Sequence, residues 1–195
     1  EELNLPKTNY WIYPDHIDHD TAIDNYLNDL EADFPVVYIS FPSAKDPDWP
    51  NRYPGKSTID IITLFPYDGF KNWDGTRWMK RGEEYEALKE KITKRLLAIL
   101  FKHIPQAKDK IQHFELSTPL TTKHFVNYNE GEIYGLDHTP KRFRQRFLKP
   151  RTPIKNFYLT GQDIVTAGVA AALFSGVITT SAITGKNIIK KVMKG

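Results

Sequence analysis

The residues best placed to do chemistry lie near the end of the sequence. Residues 154–160 read as a strand, Gly161 breaks it, and Gly161-Gln162-Asp163 leads into a helix opening near Thr166-Ala167-Gly168-Val169-Ala170-Ala171. A strand that stops at glycine and feeds a helix aims free backbone N–H groups at whatever lies beyond. The positive end of a helix favours anions and electron-rich ring edges. Gly168 and the alanines after it leave room for a flat ligand to come close to the backbone. An acid just ahead of the helix can accept hydrogen bonds from sugar or ribityl hydroxyls. By residue type alone this is either a cofactor-facing helix terminus or a helix packed on a sheet.

Other constellations are thinner. Asp15-His16-Ile17-Asp18-His19-Asp20 offers imidazoles and carboxylates to a metal, but it also reads as a turn into a helix at Thr21, and no metal is expected there. His103, His113, His124 and His138 are scattered and read as surface or core residues. Residues 141–151 hold six basic side chains (Lys141, Arg142, Arg144, Arg146, Lys149, Arg151) and no acid, interleaved by Phe143 and Phe147. Such a stretch suits phosphates or acidic lipid heads, or is a solvated connection with two buried phenylalanines. Residues 71–81 mix Trp73 and Trp78 with four basic residues, a combination suited to a membrane interface and equally to buried tryptophans. No two of the 11 glycines are separated by a single residue, so the Gly-x-Gly-x-x-Gly dinucleotide fingerprint is absent. Gly55-Lys56-Ser57 has the tail of a phosphate loop, but Pro50 stands where its first glycine belongs.

These groups must be positioned by ordinary elements. Residues 35–41 and 57–65 read as strands, expected to be antiparallel neighbours, joined by a loop carrying Pro42, Pro47, Pro50 and Pro54. That loop is longer than most hairpin connections and is expected to have a role. Residues 83–102 form the clearest helix, with Tyr85, Leu88, Ile92, Leu96 and Ile99 on one face and Pro105 beyond its end. Residues 111–116 alternate as a short strand, and Thr118-Pro119 starts a helix reaching about Tyr128. A turn follows between Gly131 and Gly135, and the small-residue helix runs to about Ala182.

Composition narrows the classes. The 195 residues carry 27 Lys and Arg against 24 Asp and Glu, a net charge of +3, too small to imply nucleic acid. There is no cysteine, which excludes disulfides, Cys-ligated zinc, iron–sulfur clusters and thiol nucleophiles. Residues 164–183 are uncharged and long enough to span a bilayer, but they are rich in Ala, Gly and hydroxyl residues. A buried helix is the expectation, and the protein is expected in the cytoplasm, in peripheral contact with a membrane at most.

Several blocks carry a family resemblance. Asn156-Phe157-Tyr158-Leu159-Thr160-Gly161-Gln162-Asp163, followed by Gly168-Val169-Ala170-Ala171-Ala172-Leu173 and Ser175-Gly176, resembles the C-terminal flavin-contacting segment of the phytoene desaturase superfamily. Phe41-Pro42-Ser43-Ala44-Lys45-Asp46-Pro47-Asp48-Trp49 resembles the matching stretch of its retinol saturase branch. So do Asn9-Tyr10-Trp11, Tyr53-Pro54-Gly55-Lys56-Ser57-Thr58, Arg81-Gly82-Glu83-Glu84-Tyr85-Glu86, Ser117-Thr118-Pro119-Leu120-Thr121 and Gly131-Glu132-Ile133-Tyr134-Gly135-Leu136-Asp137-His138.

The resemblance implies an α/β protein: an α+β substrate-domain sheet with antiparallel strands and helices over 1–151, plus the closing strand and helix of an FAD-binding domain over 152–195. It implies FAD, with NAD(P)H as a candidate electron donor, and a polyene or isoprenoid lipid substrate such as a retinoid or carotenoid. The reaction would be reduction, isomerisation or desaturation at a carbon–carbon double bond. Gly161, Gln162 and Asp163 would meet the ribityl–pyrophosphate part of FAD. Gly168, Val169 and Ala170 would meet the flavin ring edge, and Tyr134 would line the polyene. Family members are much longer and carry the dinucleotide fingerprint near their N-terminus, so this chain resembles their C-terminal portion. Its uncharged helix would then pack on partners outside the chain or cover itself in a homodimer. A reading from another class is a non-catalytic lipid- or membrane-binding module, supported by Trp73, Trp78 and the basic stretches.

Overall fold

The structure is a computed structural model that describes residues 3–194. It divides into two compact units, one ending at Phe125 and one beginning at Val126. The architecture is mixed α/β, as expected, with helices predominating over one small antiparallel sheet.

The first unit is built on three strands in the order β1 (Tyr10–Ile12), β2 (Val37–Ser40), β3 (Asp60–Thr63). β2 and β3 are antiparallel neighbours, as the sequence predicts, with Ile39 opposite Ile61 and Tyr38 opposite Ile62. β1, only three residues long, was not predicted as a strand; it pairs with β2 through Tyr10 and Ile39. Period-two alternation puts Val37 and Ile39 into the core and the row Trp11, Tyr38, Ile62 on the outer face.

Helix α1 (His19–Asn28) starts at Asp18, whose side chain accepts the Thr21 N–H, and it drives Tyr26 into the core. The proline-bearing connection between β2 and β3 is folded into α2 (Pro42–Lys45) and α3 (Trp49–Arg52). Its family-like residues bind one another. Lys45 reaches Asn9 and the Ser40 hydroxyl, Arg52 pairs with Asp46 and Asp48, the Ser43 hydroxyl accepts the Thr58 N–H at 2.9 Å, and the Trp49 indole donates to Lys56 C=O at 2.8 Å.

Helix α4 (Glu83–His103) is the spine of this unit. It opens with Glu83, Glu84 and Glu86, as the helix dipole prefers, and buries Tyr85, Ile92, Leu96 and Leu100 against Phe41, Phe70 and Ile104. Arg95 donates to the carbonyls of Leu30 (2.6 Å) and Ala32, tying the α1–β2 loop to the spine. Residues 111–116 are not a strand. Among the described residues no strand pairs with them, and exposure of residues 111–115 leaves the alternation no face to bury. Helix α5 (Pro119–Val126) stops before Asn127, which takes a left-handed conformation at φ +62°. At the start of α5 the Thr118 N–H donates to Thr121 Oγ1 (3.1 Å), and the Thr118 hydroxyl lies 2.8 Å from the Tyr85 hydroxyl.

The second unit holds α6 (Pro140–Phe143), α7 (Val169–Thr184) and α8 (Ile188–Val192). The expected strand at 154–160 is absent. A strand requires a neighbour to take its N–H and C=O groups. Here a local turn takes them: Phe157 N–H donates to Ile154 C=O (3.2 Å), Thr152 Oγ1 to Phe157 C=O (2.7 Å), and a single bridge joins Arg151 to Tyr158. Helix α7 opens at Val169, three residues later than the predicted Thr166, and ends on left-handed Gly185. Among the described residues no helix is long and apolar enough to cross a membrane.

Candidate cofactor site

In the second unit the loop 161–168 is held between residues 134–142 and the first half of α7. Gly161 has φ +98°, a conformation that favours glycine, and its N–H donates to Ser175 Oγ at 2.7 Å. The Ser175 side chain is fully buried and donates back to Ala172 C=O at 2.6 Å. One turn later the Thr179 hydroxyl donates to Leu159 C=O at 2.9 Å. Two hydroxyls four residues apart on α7 thus stand where an adjacent strand would otherwise satisfy residues 159–161.

Gln162 and Asp163 lie in a single 3-10 turn, Gln162–Ile164. Arg142 Nη2 donates to both of their carbonyls, at 3.1 and 2.8 Å. The Asp163 carboxylate turns to the preceding loop, where Oδ1 accepts the Leu136 N–H at 3.0 Å. Gly135, at φ +69°, lies under that carboxylate, and a Cβ there would overlap Oδ1. The Gln162 amide reaches the Tyr128 hydroxyl at 3.4 Å. The Ala167 N–H donates to His138 Nε2 at 2.8 Å, which requires that nitrogen to be unprotonated.

Gly168, at φ +108°, caps α7 without any side-chain bond, and nothing lies within 4 Å of the position a Cβ would take. The first-turn N–H groups, those of Val169 and Ala170 among them, have no intrahelical partner by geometry. Val169 itself is 80% exposed, so the helix end is open. Tyr134 is exposed on the loop that receives Asp163.

The seven residues singled out from the sequence therefore all lie in this unit. Loop 131–138 meets loop 161–168 through Leu136 and His138, and the open helix end follows Gly168. Sequence reasoning passed over Arg142, Ser175 and Thr179 as parts of the site and treated His138 as one scattered histidine. The usable signal was Ser175 and Thr179, a hydroxyl pair at i and i+4 on the small-residue helix.

The remaining candidates have other duties. His19 packs on Tyr13 with ring centroids 4.5 Å apart while Asp18 caps α1, and among the described residues no group of three or more His, Asp or Glu could hold a metal. Trp73 packs into the core against Tyr85. Trp78 lies on the surface, stacked on His124 at 5.4 Å. Lys123 joins Tyr67 (3.0 Å) and Asp74 (2.9 Å); the Tyr67 and Asp74 contacts raise its pKa, and the Lys123 contact lowers that of Asp74.

The comparisons with known proteins assign the class first: the chain is a homologue of oxidoreductases named for a retinoid. In particular, it is 35% identical over 195 residues, 96% of its length, to the all-trans-retinol 13,14-reductases of Danio rerio and Homo sapiens. It is also 32% identical over 193 residues to a Danio rerio protein named inactive all-trans-retinol 13,14-reductase. The chain spans 32% of the length of the first two relatives. No family model matches it, and no solved structure matches it significantly.

Proposed function

We propose that this chain is the C-terminal portion of an FAD-dependent oxidoreductase that acts on a carbon–carbon double bond of a polyene, a retinoid foremost. The observation that carries the reading is the similarity to all-trans-retinol 13,14-reductases along 96% of the chain. The donor set suits a flavin nucleotide: an uncapped helix end behind Gly168 with open space above it, and a loop whose carbonyls are pinned from behind. Bound FAD supplies the redox chemistry, and the protein supplies position and shielding.

The chain's own residues then take simple roles. The Val169 and Ala170 N–H groups would hold the flavin ring, and Gly168, which has no side chain, would leave room for it. Asp163 retains Oδ2 for a sugar hydroxyl, since Oδ1 is committed to Leu136. Arg142 and Ser175 are positioning residues that fix Gln162, Asp163 and Gly161. Exposed Tyr134, on the loop that receives Asp163, would line the polyene. In this reading residues 1–151 belong to the substrate domain and 152–195 close the FAD domain. Exposed Met79 and Trp78, flanked by Arg77 and Lys80, support peripheral contact with a lipid surface.

The test uses the full-length protein, desalted after incubation with FAD and supplied with a retinoid and a reductant. Retained flavin absorbance and a product two hydrogens heavier are the expected results. A product of unchanged mass assigns isomerisation, and a product two hydrogens lighter, formed in a parallel reaction with an electron acceptor in place of the reductant, assigns desaturation. Absence of retained flavin overturns the proposal. One relative at 32% identity is named inactive, so turnover is measured separately from flavin retention.

A further inference from the structure

The net charge of +3 conceals two opposite balances. Up to Phe125 the chain carries sixteen Lys and Arg against twenty Asp and Glu, and from Val126 onward it carries eleven against four. No acid follows Asp163, whereas Lys186, Lys190, Lys191 and Lys194 do. Among the described residues none of these four lysines pairs with a carboxylate.

The second unit gathers this charge at one end of α7. Left-handed Gly185 ends the helix, and the chain folds back so that the Ile188 N–H donates to Ser181 Oγ at 3.1 Å. The Asn187 side chain caps α8 by accepting the Lys190 N–H at 2.9 Å. Ile188 and Ile189 are half-buried, while Lys190, Lys191 and Lys194 are exposed together with Val192 (61%) and Met193 (80%). Arg151 Nη2 donates to Ala182 C=O at 2.6 Å, which brings a fifth cation to the same helix end.

The helix end does not by itself call for so many cations. Its macrodipole is equivalent to about half a negative charge, and Arg151 already answers it. The cofactor-facing end is too remote to need them: α7 has 16 residues, so its first turn lies roughly 24 Å away, several Debye lengths at physiological salt. Exposed aliphatic side chains among lysines suit a surface that is anionic outside and apolar beneath. A single-stranded nucleic acid would call for aromatic platforms, and residues 183–194 have none.

We propose that the α8 end of the second unit docks on an anionic lipid surface. Lys186, Lys190, Lys191 and Lys194 meet the headgroup phosphates, and Val192 and Met193 enter beneath them. The inference rests on the peripheral lipid contact in the proposed function and deepens it, giving that contact a surface and a headgroup charge.

The experiment is co-sedimentation of the full-length protein with phosphatidylcholine vesicles that contain or lack phosphatidylserine, with flavin retention recorded on the same preparations. Binding to the anionic vesicles alone, weakening with added salt, is expected. Lys190→Gln combined with Lys191→Gln should weaken it roughly twentyfold, about fivefold for each lysine, with flavin retention unchanged. Met193→Asp, which leaves every lysine in place, should weaken it at least about tenfold and decides the matter if the double variant fails to fold. Equal binding to neutral vesicles, or unchanged binding in either variant, overturns the surface. Unchanged binding in the lysine variant beside a loss in Arg77→Gln with Lys80→Gln assigns the contact to the Trp78 loop, which overturns this surface and leaves the proposed function standing. Binding of polyglutamate in place of vesicles assigns an acidic protein partner and overturns the lipid. Retained flavin with no binding to any vesicle overturns the surface and leaves the FAD reading intact.

Discussion

The unit ending at Phe125 buries Tyr26, Phe41, Phe70, Ile39 and Leu100, whereas the side chains buried in the unit that follows are polar: Arg142, Ser175 and Thr179 among the described residues. The first unit is organised by hydrophobic burial, with α4 as the spine and the sheet as a lid. The second is organised by hydrogen bonds onto one loop, and its large apolar side chains face outward. Val169, Leu173, Phe147 and Ile154 are 65–80% exposed. Of the five hydroxyl residues on α7 only Ser175 and Thr179 are buried, while Leu173 is exposed, because those two hydroxyls are needed to satisfy residues 159–161. Exposed apolar surface on this scale calls for a covering partner. The rest of a longer protein would supply one, as would a second copy of the chain. The comparison separates a scaffold from a positioning device: the first unit's stability lies in its core, and the second unit's order depends on single polar side chains.

The sharpest way to break this comparison is to truncate one residue of each kind. Phe41 is fully buried and packs edge-to-face on Tyr10 at 5.5 Å. Phe41→Ala should cost about 3–5 kcal/mol, read as a lower urea midpoint at unchanged slope. Leu173→Ala in the second unit should change the midpoint by no more than about 0.5 kcal/mol, because Leu173 is 71% exposed. If the two cost the same, the division between an apolar core and a polar-bonded unit is wrong.

A middle-sized effect is expected at Ser175. Ser175→Ala leaves Gly161 N–H without its 2.7 Å acceptor inside the protein, a loss of about 1–3 kcal/mol. Because the bond is local to the loop, amide exchange should speed up at residues 159–163 and stay unchanged in α4. Uniform acceleration across both units would show that the hydroxyl supports the whole chain and not the loop.

The sequence disclosed these two units unequally, for a physical reason. α4 and the β2–β3 pair were legible because their periodicity reports burial on one face, and burial is what holds the first unit together. β1 was missed because three residues carry too little pattern. The strands expected at 111–116 and 154–160 fail for a common reason: alternation and β-branched content announce a capacity to pair, and pairing needs a neighbour. At 154–160 the neighbour's place is taken by Ser175 and Thr179, residues far enough along the chain that no local rule connects them. The site residues from Gly161 to Ala170 were legible as types, through glycine, acid and small helix residues. Arg142 was hidden in a run of like charges, where only the fold distinguishes the one buried arginine from its solvated neighbours.

The smallest expected effect at neutral pH concerns the first unit's own unpartnered polar group. Tyr26 is 1% exposed among Phe34 and Phe65, and among the described residues its hydroxyl has no hydrogen-bond partner. Burial, opposed in part by Arg95, pushes its pKa from 10.0 up to about 12. Tyr26→Phe removes the orphaned hydroxyl while keeping the ring, so at pH 7 the variant should be as stable as the parent, or more stable by up to about 1 kcal/mol. The pH dependence carries the sharper test. Between pH 10 and 12 the unfolded chain releases the phenolic proton while the folded chain retains it. The folded state then binds more protons, so the stability from this group, fully present below pH 10, falls as the pH rises through that window. Urea midpoints of parent and variant at pH 9 and 11 (roughly one unit either side of an ordinary phenol) should diverge, the parent losing more, while other titrating groups cancel in the difference. Identical slopes would mean that water reaches the hydroxyl and that the first unit is not dry around Tyr26. A divergence would show that the Tyr26 hydroxyl keeps its proton in a dry site, as expected of a unit organised by apolar burial.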